Sequence, residues 1–293
     1  MQHVFAGEEG EMIYTVTLNP SVDCVMTVGS IAEGATNRAS SQELRFGGKG
    51  VNVSRALARM GIPSVALGFA AGFTGEALAA GFADEPLITP DFIALRGGFT
   101  RVNVKLRGAA ETEINAPGPR VAPDEAEAFL RRLDALREGD TVIFSGSLPT
   151  GLDAGFYARA LERLESGGVR AAVDTSGAAL KACLPRKPFL VKPNRQEIGE
   201  LFGDGADPAD CAERLCKAGA RFALVSLGAD GAALADGSGE TRFAPALPCE
   251  GGCAVGAGDA MLAGFLAEID RGGPAEALDA AVRSAKEWME SSR

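Results

Sequence analysis

The chain has 293 residues, 46% of them hydrophobic and 23% charged, enough for one large domain with a sizeable core. Its formal net charge of −10 excludes a broad electrostatic footprint for nucleic acid or an anionic membrane, so any anion must be held by a few placed groups. No apolar run approaches the roughly 18 residues of a membrane helix, and the opening MQHVFAGEEGEM lacks the basic start and apolar stretch of a signal peptide. The expected location is cytoplasmic, with no membrane and no nucleic-acid partner. The six cysteines form no CxxC pair and read as reduced thiols, not as a disulfide framework or zinc site. The single histidine, His3, precedes every patterned segment, so acid and base work falls to carboxylates, lysines or tyrosines.

In chain order, residues 1–11 are expected to be a dispensable extension, with one domain over 12–293. DCVMTVG (23–29), RASSQELRF (38–46) and TRVNVKLRG (100–108) alternate apolar and polar residues, and no helix separates the first two. Such strands suit a half-exposed sheet, here a β lid formed by segments near 23–46 and 100–115. From residue 140 the pattern changes. The buried-strand runs DTVIFSG (140–146), VRAAVDT (169–175), FLVKP (189–193) and ARFALVSL (220–227) alternate with the helical runs GFYARALERLES, NRQEIGELFG and ADCAERLCKAG. That alternation implies an α/β fold with a mostly parallel sheet flanked by helices.

Four stretches have the residue types of a binding site. FGGKGVNVSRALARMG (46–61) is not a Walker A loop, because no Ser or Thr follows Lys49, and it lacks GxGxxG. It reads either as a plain strand-to-helix turn or as glycines that admit a ligand, with Lys49 and Asn52 facing it. VKPNRQE (191–197) ends a strand with Lys192 and puts Asn194 and Glu197 on the first turn of a helix. Those two are either an N-cap with its capping glutamate or holders of waters around Mg²⁺ on a nucleotide. SLGADG (226–231) is a strand end and hairpin turn unless a ligand binds there. In GAGD (256–259), Asp259 is a favoured N-cap. The amides of the same turn form an anion hole, and Asp259 beside it is placed to take a proton, as phosphoryl transfer to an alcohol requires. We expect Asp259 to be both cap and base. All four stretches fall at strand ends, where open α/β sheets bind ligands.

Read in order, TLNPSVD, GGKGVNVSRAL, TRVNVK, SGSLP, VKPNRQE, VSLGADGA and GAGDAMLAGF resemble the ribokinase-like (PfkB) carbohydrate kinases from about Ile13 to Phe265. Within that family they resemble the branch containing 1-phosphofructokinase and tagatose-6-phosphate kinase. The resemblance implies a Rossmann-like core with a β lid, ATP and Mg²⁺ as cosubstrates, and transfer of the γ-phosphoryl group to a sugar hydroxyl. Asp259 matches the catalytic base, and Gly256, Ala257 and Gly258 the anion hole. Lys192, Asn194 and Glu197 match the nucleotide and metal region, with Glu197 reaching Mg²⁺ through water, and Ser226, Gly228 and Gly231 the ATP loop. Asp23, Gly48, Lys49 and Asn52 match sugar-binding groups. Arg38, Arg101, Asn103, Lys105 and Ser147 are similar to positions that line the acceptor site and hold its phosphate.

The activity so implied is phosphorylation of fructose 1-phosphate to fructose 1,6-bisphosphate, since TEINAPGP (112–119) resembles that branch slightly better. The alternatives are tagatose 6-phosphate as acceptor, and a non-catalytic sensor of sugar phosphate or nucleotide on the same fold. Two departures stand out. Cys253 and Ala254 replace the polar pair usual before GAGD, and the charged AVRSAKEWMESSR predicts an abbreviated adenine-pocket wall. The exposed edge of a β lid predicts a homodimer.

Overall fold

The computed structural model describes residues 10–249, 251 and 253–291, so residues 1–9 of the expected extension lie outside the described residues. The N-terminal half runs β1 (Ile13–Thr17), β2 (Ser21–Thr27), β3 (Ser41–Gly47), α1 (Lys49–Arg59), β4 (Ser64–Ala71), α2 (Gly72–Ala80), β5 (Ile88–Leu95), β6 (Arg101–Arg107) and β7 (Thr112–Ile114). There follow α3 (Pro123–Arg132), β8 (Thr141–Ser145), α4 (Phe156–Leu164), β9 (Arg170–Asp174), α5 (Gly177–Cys183), β10 (Leu190–Val191) and α6 (Arg195–Phe202). The chain continues through α7 (Pro208–Lys217), β11 (Phe222–Ser226), β12 (Ala232–Ala235), β13 (Thr241–Ala244) and α8 (Ala257–Ser291), which is broken at Gly273.

The main sheet has nine strands in the order β13-β12-β11-β10-β9-β8-β1-β4-β5. It is parallel from β5 to β11 and antiparallel across β11, β12 and β13. Side chains alternate faces along a strand, and here both faces are buried. Val142 and Phe144 of β8 join one core with Val173, Val191 and Val225, while Ile143 joins the other with Ala172, Leu190 and Leu224. That is why these strands read as continuous apolar runs and not as alternating ones. β10 is shorter than the expected 189–193: Pro188 and Pro193 flank it and have no N–H to give a ladder.

The second sheet, in the order β3-β2-β6-β7, stands off the main one. β2 is its centre, antiparallel to β3 and parallel to β6, and it begins two residues ahead of the expected 23–29, because Ser21 pairs with both Gly47 and Arg101. β3 is exposed on both faces up to Arg45, Leu44 included, where its alternation predicts a half-exposed strand, because it is an edge strand of the lid. The α/β fold, the mostly parallel sheet and the separate small sheet are those expected. No helix among the described residues is long and apolar enough to cross a membrane.

Candidate active site

The carboxyl ends of β1, β8, β9, β10 and β11 converge with the N-terminus of α1 and the turn before α8. Gly48 makes this approach: its φ of 135° is left-handed, and a Cβ there would lie 2.4 Å from Thr17 Cγ2. With α1 thus docked on β1, Thr17 Oγ1 accepts the Val51 N–H at 3.1 Å and Lys49 points across the sheet ends.

Lys49 Nζ donates to Asp174 Oδ1 at 3.1 Å and lies 3.6 Å from Glu197 Oε1. Lys192 Nζ lies 3.3 Å from the other Asp174 oxygen. Burial would raise the Asp174 carboxyl, but Lys192 and Lys49 outweigh it and hold the group below its ordinary value. Burial likewise works against the Lys49 ammonium, and Asp174, Glu197 and Asp259 together lift it above the ordinary amine range. Asp174 is fully buried and was not among the expected site residues. Its signal was available: a lone acid ending an apolar strand, the same pattern that singled out Lys192.

Asp259 is 6% exposed and its Oδ2 accepts from Asn52 Nδ2 at 2.8 Å. Burial first, then the Asp174 charge, push its pKa up to about 7 against the pull of Lys192, the Asn52 hydrogen bond and Lys49. The expectation that Asp259 caps its helix is corrected, because α8 starts at Ala257 and Asp259 sits within the first turn. Its carboxylate is turned to Asn52 instead of to the helix end. In the GAG turn the Ala257 N–H is bonded to the Ala254 carbonyl at 3.0 Å. No partner is found among the described residues for the Gly258 and Asp259 N–H groups. Lys192 borders the same turn, 3.4 Å from where a Cβ on Gly258 would stand.

Asn194 and Glu197 form a reciprocal capping box, Glu197 N–H to Asn194 Oδ1 and Asn194 N–H to Glu197 Oε2, both at 2.9 Å. The capping reading of this pair therefore holds, and it leaves Glu197 Oε1 turned to Lys49. Ser226 pairs with Asn194 through an isolated parallel bridge, so the 226–231 turn adjoins the start of α6. That turn joins β11 to β12, with the Leu227 N–H bonded to the Gly231 carbonyl at 2.9 Å.

On the lid, Asp23 Oδ1 accepts from Ser21 Oγ at 2.7 Å and Asn103 Nδ2 at 2.9 Å, and Lys105 Nζ lies 3.2 Å from Asp23 Oδ2. Two cavities meet at Gly48. One, of about 260 Å³, is lined by Asn19, Lys49, Arg101, Ser145, Ser147 and Glu197 among others. The other, of about 370 Å³, is lined by Asp23, Asn52, Lys105, Arg55, Arg107 and Trp288 among others. Arg101 is pinned by the Asn19 and Ala116 carbonyls at 3.2 and 3.3 Å, and burial lowers its pKa against the lift from Asp23. In the smaller cavity Ser145 Oγ is buried without a hydrogen-bond partner among the described residues, the condition a polar ligand relieves. Arg38 is not brought to either cavity; it is exposed on the loop between β2 and β3. Ser226, Gly228 and Gly231 also line neither. Arg55, Arg107 and Trp288 are wall residues that the sequence reading missed.

Comparison with known proteins gives the family. Residues 16–291 match the pfkB family carbohydrate kinase profile. A 1-phosphofructokinase of Bacillus subtilis (strain 168) is 42% identical over 90% of this chain and 88% of its own length. A D-tagatose-1-phosphate kinase of Bacillus licheniformis is 31% identical over 89% of this chain and 86% of its own. The solved structure of phosphofructokinase-2 from Escherichia coli in complex with fructose-6-phosphate superposes with a TM-score of 0.87, 28% identity, and coverage of 96% of this chain and 94% of that one. The chain belongs to the pfkB family of carbohydrate kinases and is a phosphotransferase with ATP as its substrate.

Proposed function

We propose that this kinase converts fructose 1-phosphate and ATP to fructose 1,6-bisphosphate and ADP, with Asp259 as general base. The observation that carries the proposal is the Asp259 carboxylate, buried, held by Asn52, and raised to about 7 beside a turn whose Gly258 and Asp259 amides have no partner among the described residues. Asp259 takes the proton of the sugar's primary hydroxyl, whose oxygen attacks the γ-phosphorus of ATP. The bond from that phosphorus to the bridging oxygen breaks, and its electron pair leaves with ADP. The Gly258 and Asp259 amides, with Gly256 and Ala257 shaping their turn, and Lys192 stabilise the charge that builds on the transferred group. Asp23, Gly48, Lys49 and Asn52 hold the sugar, Asn103 orients Asp23, and Arg101, Lys105 and Ser147 hold the acceptor phosphate. Asn194, Ser226, Gly228 and Gly231 face the nucleotide.

The free oxygen of Glu197 fits a water-mediated hold on Mg²⁺: the residue commits only Oε2 to its cap, which leaves Oε1 facing the space beside Lys49. Glu197 would hold the ion through water, and the ion would screen the charge of the nucleotide phosphates. We take residues 12–293 as one kinase domain with its lid, acting as a homodimer in the cytoplasm, where the six free cysteines stay reduced.

The test is a panel of fructose 1-phosphate, tagatose 1-phosphate, tagatose 6-phosphate, fructose 6-phosphate and the free sugars, compared by kcat/KM. Fructose 1-phosphate is expected to lead, with free sugars poor, because the half-buried Arg101 is then left without its anion. The 31% identical tagatose-1-phosphate kinase makes tagatose 1-phosphate the second candidate, with its phosphate on the same carbon. Preference for a free sugar would overturn the assignment of acceptor.

A further inference from the structure

The break in α8 has a consequence at the other end of the helix. Gly273 takes φ 82° ahead of Pro274, so the second half of α8 runs back along the first. The two halves touch at Gly264, where a Cβ would meet Ser284 Oγ at 2.3 Å and the Ala280 carbonyl at 2.7 Å. This return brings Trp288 directly against the turn that precedes Asp259. A Cβ on Gly256 would lie 2.7 Å from Trp288 Nε1 and 2.8 Å from two ring carbons, and Gly256 itself has φ 87°. The indole N–H donates to the Val255 carbonyl at 2.8 Å. On the ring's face lies the Arg59 guanidinium, its carbon 4.2 Å from the ring centroid. Arg59 also bonds Ser291 Oγ, which donates in turn to the Trp288 carbonyl at 2.9 Å.

Arg59 ends α1, the helix whose start carries Lys49 and Asn52. The indole is therefore wedged between the helix that presents Asn52 and the turn that presents Asp259. A buried tryptophan at a helix end is ordinarily core packing. Here its polar edge instead meets an irregular carbonyl, and its ring leaves Gly256 no room for a side chain.

We propose that Trp288 is a positioning residue for the phosphoryl-holding turn. Its N–H fixes the Val255 carbonyl and its ring backs Gly256, so that the Gly258 and Asp259 amides keep one orientation during transfer. This rests on the reading of that turn as the anion holder. Trp288 is the only tryptophan of the chain, so its emission reports this position alone.

The experiment has two arms. First, wild-type emission is followed while the non-hydrolysable analogue AMP-PNP is added with Mg²⁺ and no sugar. A saturable change in intensity or wavelength is expected, and unchanged emission at nucleotide concentrations that saturate turnover overturns the proposal. Second, Trp288→Phe keeps a ring and removes the N–H. Its kcat is expected to fall about tenfold, as for loss of one hydrogen bond that matters in the transition state, with KM for the sugar phosphate within about twofold of wild type. A variant with lower melting temperature and unchanged kcat would mark Trp288 as packing only. If Trp288→Phe fails to fold, the emission arm decides by itself. A saturable emission change in a protein that phosphorylates no sugar phosphate supports the positioning role and overturns the proposed reaction instead.

Discussion

At Asp259, burial and the Asp174 charge push the pKa to about 7, while Lys192, Asn52 and Lys49 pull it back. A general base works ionised, so kcat/KM is expected to rise with pH and level off above about 7, in an initial-rate profile with saturating ATP. Asp259→Asn keeps the size and the Asn52 contact but cannot take the proton, so turnover should fall roughly 10²- to 10⁴-fold with nucleotide affinity retained. The same raised pKa predicts the pH dependence of stability. Because the folded pKa lies above the ordinary 3.8, the favourable contribution is complete below 3.8 and is lost as pH rises through about 7. Asp259→Asn should therefore gain clearly more stability over wild type at pH ~8.5 than at pH ~5, where only the first part of the loss has occurred, in paired denaturant titrations. A tenfold change in proton affinity is worth ~1.4 kcal/mol, which limits the gain to a few kcal/mol. Asp174 presents the complementary case. Asp174→Ala leaves Lys49 and Lys192 with no shared carboxylate, and should cost ~3–5 kcal/mol of unfolding free energy. In any active remainder the removal of the Asp174 charge should also shift the acid limb of the pH profile to lower pH.

At the scale of elements, the site depends on where α1 begins. The helix starts without a side-chain cap, and Gly48 holds it against β1 in a conformation that L side chains avoid. Gly48→Ala adds left-handed strain and a clash with Thr17, and is expected to lower stability by ~1–3 kcal/mol, read as a shift in urea midpoint at constant slope. It should also raise KM for the sugar phosphate, because Gly48 is common to both cavities. The α6 start is a different kind of element. There the Asn194 and Glu197 capping box satisfies the helix end locally. Of the two readings open for VKPNRQE, the cap is realised in full, and it still leaves one carboxylate oxygen facing Lys49.

At the scale of the whole molecule, the lid presents two edges, β3 and β7, with Leu44 53% exposed and Ile114 60% exposed. An exposed edge with apolar side chains is a pairing surface. Leu44→Glu with Ile114→Glu is expected to convert a homodimer to a monomer by light scattering and to raise KM for the sugar phosphate, since the lid carries Asp23, Arg101 and Lys105. A monomeric wild type would remove the dimer from the reading.

The sequence by itself determined the layered fold and singled out the strand-end stretches from which the candidate site is read, for a physical reason. Strands buried on both faces must be apolar throughout, so β8, β9 and β11 stand out as runs, and a charged residue at such a run's end, as at Lys192, is costly unless it serves the site. The small sheet was legible as partly polar strand runs with no helix between the first two, in contrast to the apolar runs of the main sheet. What only the tertiary structure decided are the pairings that cross long sequence gaps: Asp174 between Lys49 and Lys192, Asn52 on Asp259, and Trp288 against Gly256. No local pattern encodes them. Each contact arises from how sheet order, the docking of α1 at Gly48 and the fold-back of α8 at Gly273 bring distant strand and helix ends together. The position of Arg38 was decided in the same way, since a basic residue on a lid segment reads identically whether its loop turns toward the cleft or, as here, out to solvent.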